Sequence, residues 1–123
     1  MVSGFRDLLV WQRSVEFVVR IYKLIEQLPN EEKYALADQM RRAAISIPSN
    51  ISEGHGRNST KEYIQFLYIA LGSASEIETQ IVIGKKLGYF SNIDLEEKEI
   101  NEIKKMLNGL ISSLKNKINP TLS

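Results

Sequence analysis

The apolar residues of this chain recur every three to four positions, the period of an α-helix, along nearly its whole length. Four such segments are separated by short runs that contain proline, glycine or asparagine, residues that end helices and form turns. The pattern predicts helices at about 7–28, 31–54, 60–87 and 94–118. No stretch alternates apolar and polar residues for long enough to indicate a strand.

Short turns make successive helices antiparallel neighbours, so the prediction is an all-α, antiparallel up-down four-helix bundle. A chain of 123 residues is one domain's worth of sequence, and the domain is predicted to span 1–123. Pro48 lacks the N–H that would bond the carbonyl of Ala44, which predicts a kink in the second helix rather than two separate helices.

Side chains at the predicted helix starts fit caps. Asp7 and Asn30 are the expected N-caps of the first two helices. Ser59 and Glu62 are spaced for a capping box at the start of the third helix, and Gly88 suits its end.

Some helices carry more apolar positions than one core face needs. The first helix has two stripes, of which the predicted bundle seam is Leu8, Trp11, Val15, Val18, Tyr22 and Ile25, and the second is Val10, Phe17, Ile21, Leu24 and Leu28. Positions outside the core faces of the next two helices are predicted to contact another subunit: Tyr34, Arg41, Ile45, Ile64, Leu71 and Val82.

Composition narrows the functional classes. The chain has no cysteine and one histidine, which argues against thiolate chemistry and histidine-based metal sites, and no cofactor is predicted. A net charge of +1 gives no global basic field, so nucleic-acid binding would depend on local clustering. No uncharged stretch approaches the roughly 20 apolar residues of a bilayer span, and the N-terminus lacks a signal-peptide pattern. The expectation is a cytoplasmic protein without membrane contact.

Arg57 and Lys61 flank the predicted start of the third helix, where free amides and basic side chains together favour a phosphate. They are the best local candidates for a nucleic-acid backbone contact. The competing interpretation is a solvated pair of charges beside a helix cap.

Three further basic residues are candidates for nucleic-acid contact. Arg41 and Arg42 point to different sides of the second helix, so they cannot serve one site within one chain. The alternative is that Arg42 pairs with Asp38 while Arg41 makes a subunit contact. His55, between two glycines, either contacts a phosphate or is an exposed loop residue.

Catalysis is not predicted. Ser49, Asn50 and Glu53 lack a second acid, a histidine base or a metal partner, and structural hydrogen bonding around Pro48 is the stronger interpretation. Trp11, Tyr22, Tyr63 and Phe66 stand at core spacing, whereas Tyr89 and Phe90, at a turn, are the aromatic residues left open for a partner.

Several motifs combine into a family resemblance. They are Phe5-x-Asp7-Leu8-x-Val10-Trp11-Gln12, Leu36-x-x-Gln39-Met40-Arg41-Arg42-Ala43-Ala44-x-Ser46-Ile47, Ser49-Asn50-Ile51-x-Glu53-Gly54-x-Gly56-Arg57 and Ala70-x-Gly72-Ser73-Ala74-x-Glu76-x-Glu78. The chain resembles the four-helix-bundle proteins encoded in 23S rRNA intervening sequences, also called the S23 ribosomal protein family, from Phe5 to about Leu114.

The resemblance implies a bacterial homopentamer shaped like an open barrel. That family is similar to the accessory protein of diversity-generating retroelements, which associates with a reverse transcriptase and nucleic acid through basic residues. The functional prediction is therefore a non-enzymatic oligomeric bundle that binds RNA, DNA or a nucleoprotein partner weakly, largely through backbone charge. The alternative is a protein-interaction scaffold with no nucleic-acid contact.

Overall fold

A computed structural model describes residues 4–119. This part of the chain holds four α-helices and no strand: α1 (Leu9–Leu24), α2 (Leu36–His55), α3 (Thr60–Lys86) and α4 (Asp94–Ile118). Short 3₁₀ turns lie at Phe5–Asp7, Ile25–Gln27 and Asn30–Glu32. Each helix packs on the next, and α1 also packs on α4, which closes the bundle. The predicted all-α four-helix fold is confirmed.

The first two helices begin later than predicted. Asp7 lies in a 3₁₀ turn and Leu8 is the N-cap of α1, with no side-chain cap bond. Asn30 likewise starts a 3₁₀ turn, and α2 begins six residues on, at Leu36. A carboxylate oxygen of Glu32 accepts the N–H of Leu36 at 3.4 Å and takes the capping role that the sequence assigned to Asn30.

The other helix ends follow local sequence rules. Ser59 Oγ accepts the N–H of Glu62 at 3.1 Å, the hydroxyl half of the predicted capping box. Gly88 has φ of +82°, the left-handed conformation that ends α3 at little cost for glycine. Asn92 Oδ1 accepts the N–H of Asp94 at 2.8 Å and so starts α4.

Both predicted stripes of α1 contact the core. The buried residues of the helix are Val10, Ser14, Phe17, Ile21 and Leu24, mostly from the second stripe. Of the predicted seam, Ile25 is buried and Leu8, Trp11 and Val18 pack against the core, while Tyr22 is 41% exposed. Ser14 is tolerated there because its hydroxyl donates to the carbonyl of Trp11 at 2.9 Å.

Helical periodicity predicts core faces for α2 at Leu36, Ala37, Met40, Ala43, Ala44, Ile47 and Ile51, and for α4 at Ile100, Ile103, Leu107, Leu110, Ile111, Leu114 and Ile118. Most of these residues are buried, and Ile118 is the exposed exception at the end of α4.

Helices α2 and α3 form the most extensive contact of the bundle. Ser73 Oγ donates to Ser46 Oγ at 2.8 Å across the two helices, so their backbones approach closely at this point. Helix α2 runs through Pro48 as one helix, as predicted, and the size of any bend there stays a prediction. Asn50 Nδ2 donates to the carbonyl and hydroxyl oxygens of Ser46 at 2.8 and 2.9 Å, one turn earlier.

The aromatic pair after α3 is structural. Phe90 is 1% exposed and packs in the core against Gly84, so the prediction that it stays free for a partner is wrong. The Tyr89 hydroxyl donates to Glu32 Oε2 at 2.9 Å. Glu32 thereby connects the α3–α4 loop to the start of α2.

Within residues 4–119, α3 is the one helix long and apolar enough to cross a membrane on length and composition alone. In the bundle it packs between α2 and α4 and contributes nine residues to the buried set. One third of its most apolar stretch is buried, so packing in the core accounts for part of its apolar composition. The absence of membrane contact stays a prediction.

Two glycines of α3 should respond oppositely to the same substitution. A Cβ at Gly84 would overlap the Phe90 ring, so Gly84→Ala should destabilise the fold by about 1–3 kcal/mol through overpacking. A Cβ at Gly72 meets nothing within 4 Å, so Gly72→Ala should stabilise by about 0.5–1 kcal/mol through lower chain entropy. Urea unfolding of both variants tests this. Equal effects would contradict the packing of Phe90 on α3.

The Tyr89–Glu32 hydrogen bond should be visible in the pH dependence of stability. This bond, together with burial and the Glu32 and Glu31 charges, raises the pKa of Tyr89. Its stabilisation is therefore fully present below the unfolded-state value of about 10 and is lost as the pH rises through the folded-state pKa. In urea unfolding, the wild type should exceed Tyr89→Phe in stability at neutral pH, and the difference should shrink above pH ~10. A constant difference would contradict the bond.

Candidate nucleic-acid interface

The turn between α2 and α3 positions the strongest sequence candidates. At the end of α2, a Cβ on Gly54 would lie 2.6 Å from Cβ of Phe66, so the absence of a side chain lets the first turns of α3 pack against it. The Arg57 N–H donates to the Gly54 carbonyl at 3.1 Å, and Ser59 then caps α3. Arg57 and Lys61 therefore come from a turn and a helix start that are both held in place.

Arg57 lies on an aromatic ring and beside a carboxylate. Its guanidinium carbon is 4.7 Å from the Phe66 ring centroid, and Nη2 is 3.2 Å from Glu53 Oε1, the i,i+4 pair that the sequence suggests. Both side chains of the ion pair are about half exposed, so the pair contributes little to stability and can be exchanged for another anion. A groove of about 360 Å³ is lined here by Arg57, Lys61, Glu62, Gln65 and Phe66.

A second, larger groove continues from the first. It has a volume of about 680 Å³ and is lined by Lys61, Ile64, Gln65, Tyr68, Ile69, Lys115 and Ile118. Lys61 and Gln65 line both grooves, so the two share a wall. We call this surface, made of both grooves, the α3–α4 track. Its lining residues include three cations and one carboxylate.

Lys115 belongs to the track although the sequence analysis did not select it. It lies in the last turn of α4, with Nζ 5.1 Å from the centroid of the Tyr68 ring on α3. An up-down bundle brings the end of α4 beside the start of α3. The predicted topology could therefore have indicated that Lys115 lies near this surface. Helical periodicity within α4 alone could not identify it.

His55 is the last residue of α2 and is half-buried, so the alternative of an exposed loop residue is wrong. Its ring packs edge-on against Tyr63, with centroids 5.6 Å apart. The Tyr63 hydroxyl is buried without a hydrogen-bond partner, and burial raises the pKa of Tyr63. His55 thus packs beneath the turn instead of lining either groove.

Arg41 and Arg42 lie away from the track. Fourteen and thirteen residues of α2 separate them from His55 at the end of the helix, roughly 20–21 Å along the axis at 1.5 Å per residue. Arg42 Nε is 3.3 Å from Asp38 Oδ2, as the pairing interpretation expected. Arg41 Nη2 donates to the Lys33 carbonyl at 3.3 Å. The five nucleic-acid candidates therefore do not form one site.

The proposed subunit contacts differ in exposure. Tyr34 is 85% and Ile45 41% exposed, so both are accessible to another subunit. Ile64 is buried at 8% exposure, whereas Leu71 and Val82 are half-buried against the same core. Packing within one chain therefore already covers much of the surface of Ile64, Leu71 and Val82. An intersubunit role for these residues stays a prediction.

The polar residues around Pro48 have structural partners. Asn50 bonds Ser46, and Glu53 pairs with Arg57. Ser49 is exposed, and its carbonyl accepts the hydroxyl of Ser52 at 3.0 Å. Among the residues described, no three His, Cys, Asp or Glu side chains are grouped closely enough to hold a metal ion.

The sequence profile of the 23S rRNA-intervening sequence protein family matches residues 6–109, most of the chain. The chain belongs to this family. The relation to the accessory protein of diversity-generating retroelements stays a prediction.

A solved structure agrees with the family assignment. A crystal structure of a protein from the S23 ribosomal protein family of Bacteroides thetaiotaomicron VPI-5482 superimposes with a TM-score of 0.78 at 32% identity, covering 85% of this chain and 96% of that one. That protein is itself described as having unknown function. A comparison with curated proteins found no match. Membership of the intervening-sequence family thus establishes the fold, and nothing in it points to catalysis.

Proposed function

We propose that this intervening-sequence family protein is a non-enzymatic, oligomeric helical bundle that binds the phosphate backbone of RNA or DNA. The single observation that carries the proposal is the position of Arg57, Lys61 and Lys115 along the α3–α4 track. Three cations on one surface create a local positive field in a chain whose net charge is only +1. Lys61 also lies in the first turn of α3, where free amides favour anions.

Such a contact would position nucleic acid without reading its sequence. Lysine and arginine contacts to phosphates are independent of base identity and weaken with salt, because binding releases counterions. Arg57 supplies a planar group already oriented on Phe66, while Lys61 and Lys115 supply point charges on flexible stems. One chain offers few contacts, so repetition of the track around an oligomer would raise the affinity.

A protein-interaction scaffold is the second candidate. Several large apolar side chains are substantially exposed, among them Leu9, Ile69, Leu87 and Leu95. Single exposed apolar residues are common on monomers, so this observation is weaker than the clustering of charge on the track. A partner protein that co-purifies after nuclease treatment would favour the scaffold.

Replacing one track cation should weaken binding and its salt dependence together. For a labelled single-stranded RNA measured by fluorescence anisotropy, Arg57→Ala or Lys61→Ala should each reduce the slope of log K against log salt by about 0.7. Arg42→Ala is the matched control, because it also removes one arginine from an i,i+4 ion pair on α2. Absence of binding at low salt, or an equal loss in Arg42→Ala, would contradict the proposal.

The oligomer has its own test. The family resemblance predicts a homopentamer, so multi-angle light scattering at micromolar concentration should give about five times the mass of one chain. Tyr34 and Ile45 are the accessible candidates for the subunit contact, and Tyr34→Glu with Ile45→Glu should lower that mass by burying charge at the interface. Tyr22→Glu, on the exposed side of α1, is the control. A single-chain mass for the wild type would overturn the pentamer.

A further inference from the structure

We infer that the α3–α4 track is a single-strand site in which an unpaired base stacks on Tyr68 while Arg57, Lys61 and Lys115 contact the flanking phosphates. This inference rests on the proposed function and specifies its ligand class. It follows from the apolar residues that line the track beside the charged ones. A site that contacts only the phosphate backbone would not require them. Proteins that bind single strands combine such a basic groove with an aromatic platform.

The lining of the larger groove suits a base. Tyr68, Ile69 and Ile118 are 42–52% exposed, so their apolar surfaces are accessible from the groove. Gln65 also lines this groove, and its amide can bond a base edge. A volume of about 680 Å³ accommodates a nucleobase with its sugar.

Tyr68 is the better platform of the two aromatic residues on the track. The Phe66 ring is half-buried and lies under the Arg57 guanidinium. Tyr68 is 45% exposed, and the lysine over its ring comes from the flexible side chain of Lys115. A cation–aromatic contact at an exposed site is weaker than base stacking, so a base can displace Lys115. The ammonium group is then released toward a phosphate.

The mixed lining of the track also favours a single strand over a duplex. Lys61 and Lys115 line the larger groove together with its apolar side chains, and Arg57 lines the adjoining one. A duplex keeps its bases stacked inside and would place charged backbone against this apolar surface, at a cost in desolvation. A flexible strand can direct a base inward and its phosphates outward.

The experiment compares one labelled, unstructured RNA strand of about 20 nucleotides with the duplex it forms with its complement, by fluorescence anisotropy at low salt. The wild-type protein should bind the strand more tightly than the duplex. Tyr68→Leu should weaken strand binding by about tenfold, without changing the salt slope, because stacking is lost and no charge is removed. Tyr68→Phe should restore the affinity, since the ring is kept.

Tyr22→Leu is the matched control, because Tyr22 is a helix residue of similar exposure, 41%, outside the track. It should bind the strand like the wild type, and thermal unfolding checks that all variants fold. Equal binding of strand and duplex, with no effect of Tyr68→Leu, would overturn this inference and leave the proposed function standing. Binding of neither RNA would overturn both. Binding of a labelled amphipathic Glu/Leu peptide that requires Tyr68, without RNA binding, would assign the groove to a protein partner.

Discussion

The close packing of α2 on α3 is the contact on which the rest of the structure depends. Both helices bury small residues, among them Ala43, Ala44, Ala70 and Ala74, and the Ser73 and Ser46 hydroxyls hydrogen-bond directly across the contact. Because interaxial distance is set by the side chains at the contact, these residues let the two backbones approach closely. A small residue is also required at Gly54, at the end of α2, because Phe66 of α3 leaves no room for a side chain there. The proline in α2 is accommodated within this tightly packed pair.

This contact determines where the basic residues lie. The turn after α2 is short and capped, so Arg57 and Lys61 emerge on one side of the hairpin. Helix α4 packs on the other flank of α3 and brings Lys115 to the same surface. The local positive charge is thus a product of topology in a chain of nearly balanced composition. Exposed apolar side chains line the same surface, so the track is partly apolar as well as basic.

Periodicity alone predicted the number of helices and the buried face of α4, because one narrow apolar stripe leaves a single choice. On α1 both predicted stripes contact the core, but periodicity did not show that the second stripe supplies most of the fully buried residues and that Tyr22 of the first is exposed. The start of α2 was missed because its cap, Glu32, is held by Tyr89, 57 residues away. Of the candidate site, Arg57 and Lys61 were identified from local sequence, whereas Lys115 and Tyr68 join them only through the α3–α4 contact.

Hydrogen–deuterium exchange with and without a single-stranded RNA tests the central claim most directly, because it maps the contact without assuming which residues make it. The account predicts slower exchange, on RNA binding, in peptides that cover the turn after α2, the first turns of α3 and the last turn of α4. Peptides that cover Arg41 and Arg42 should be unchanged. Protection confined to the first half of α2, with none around Arg57 and Lys115, would contradict it.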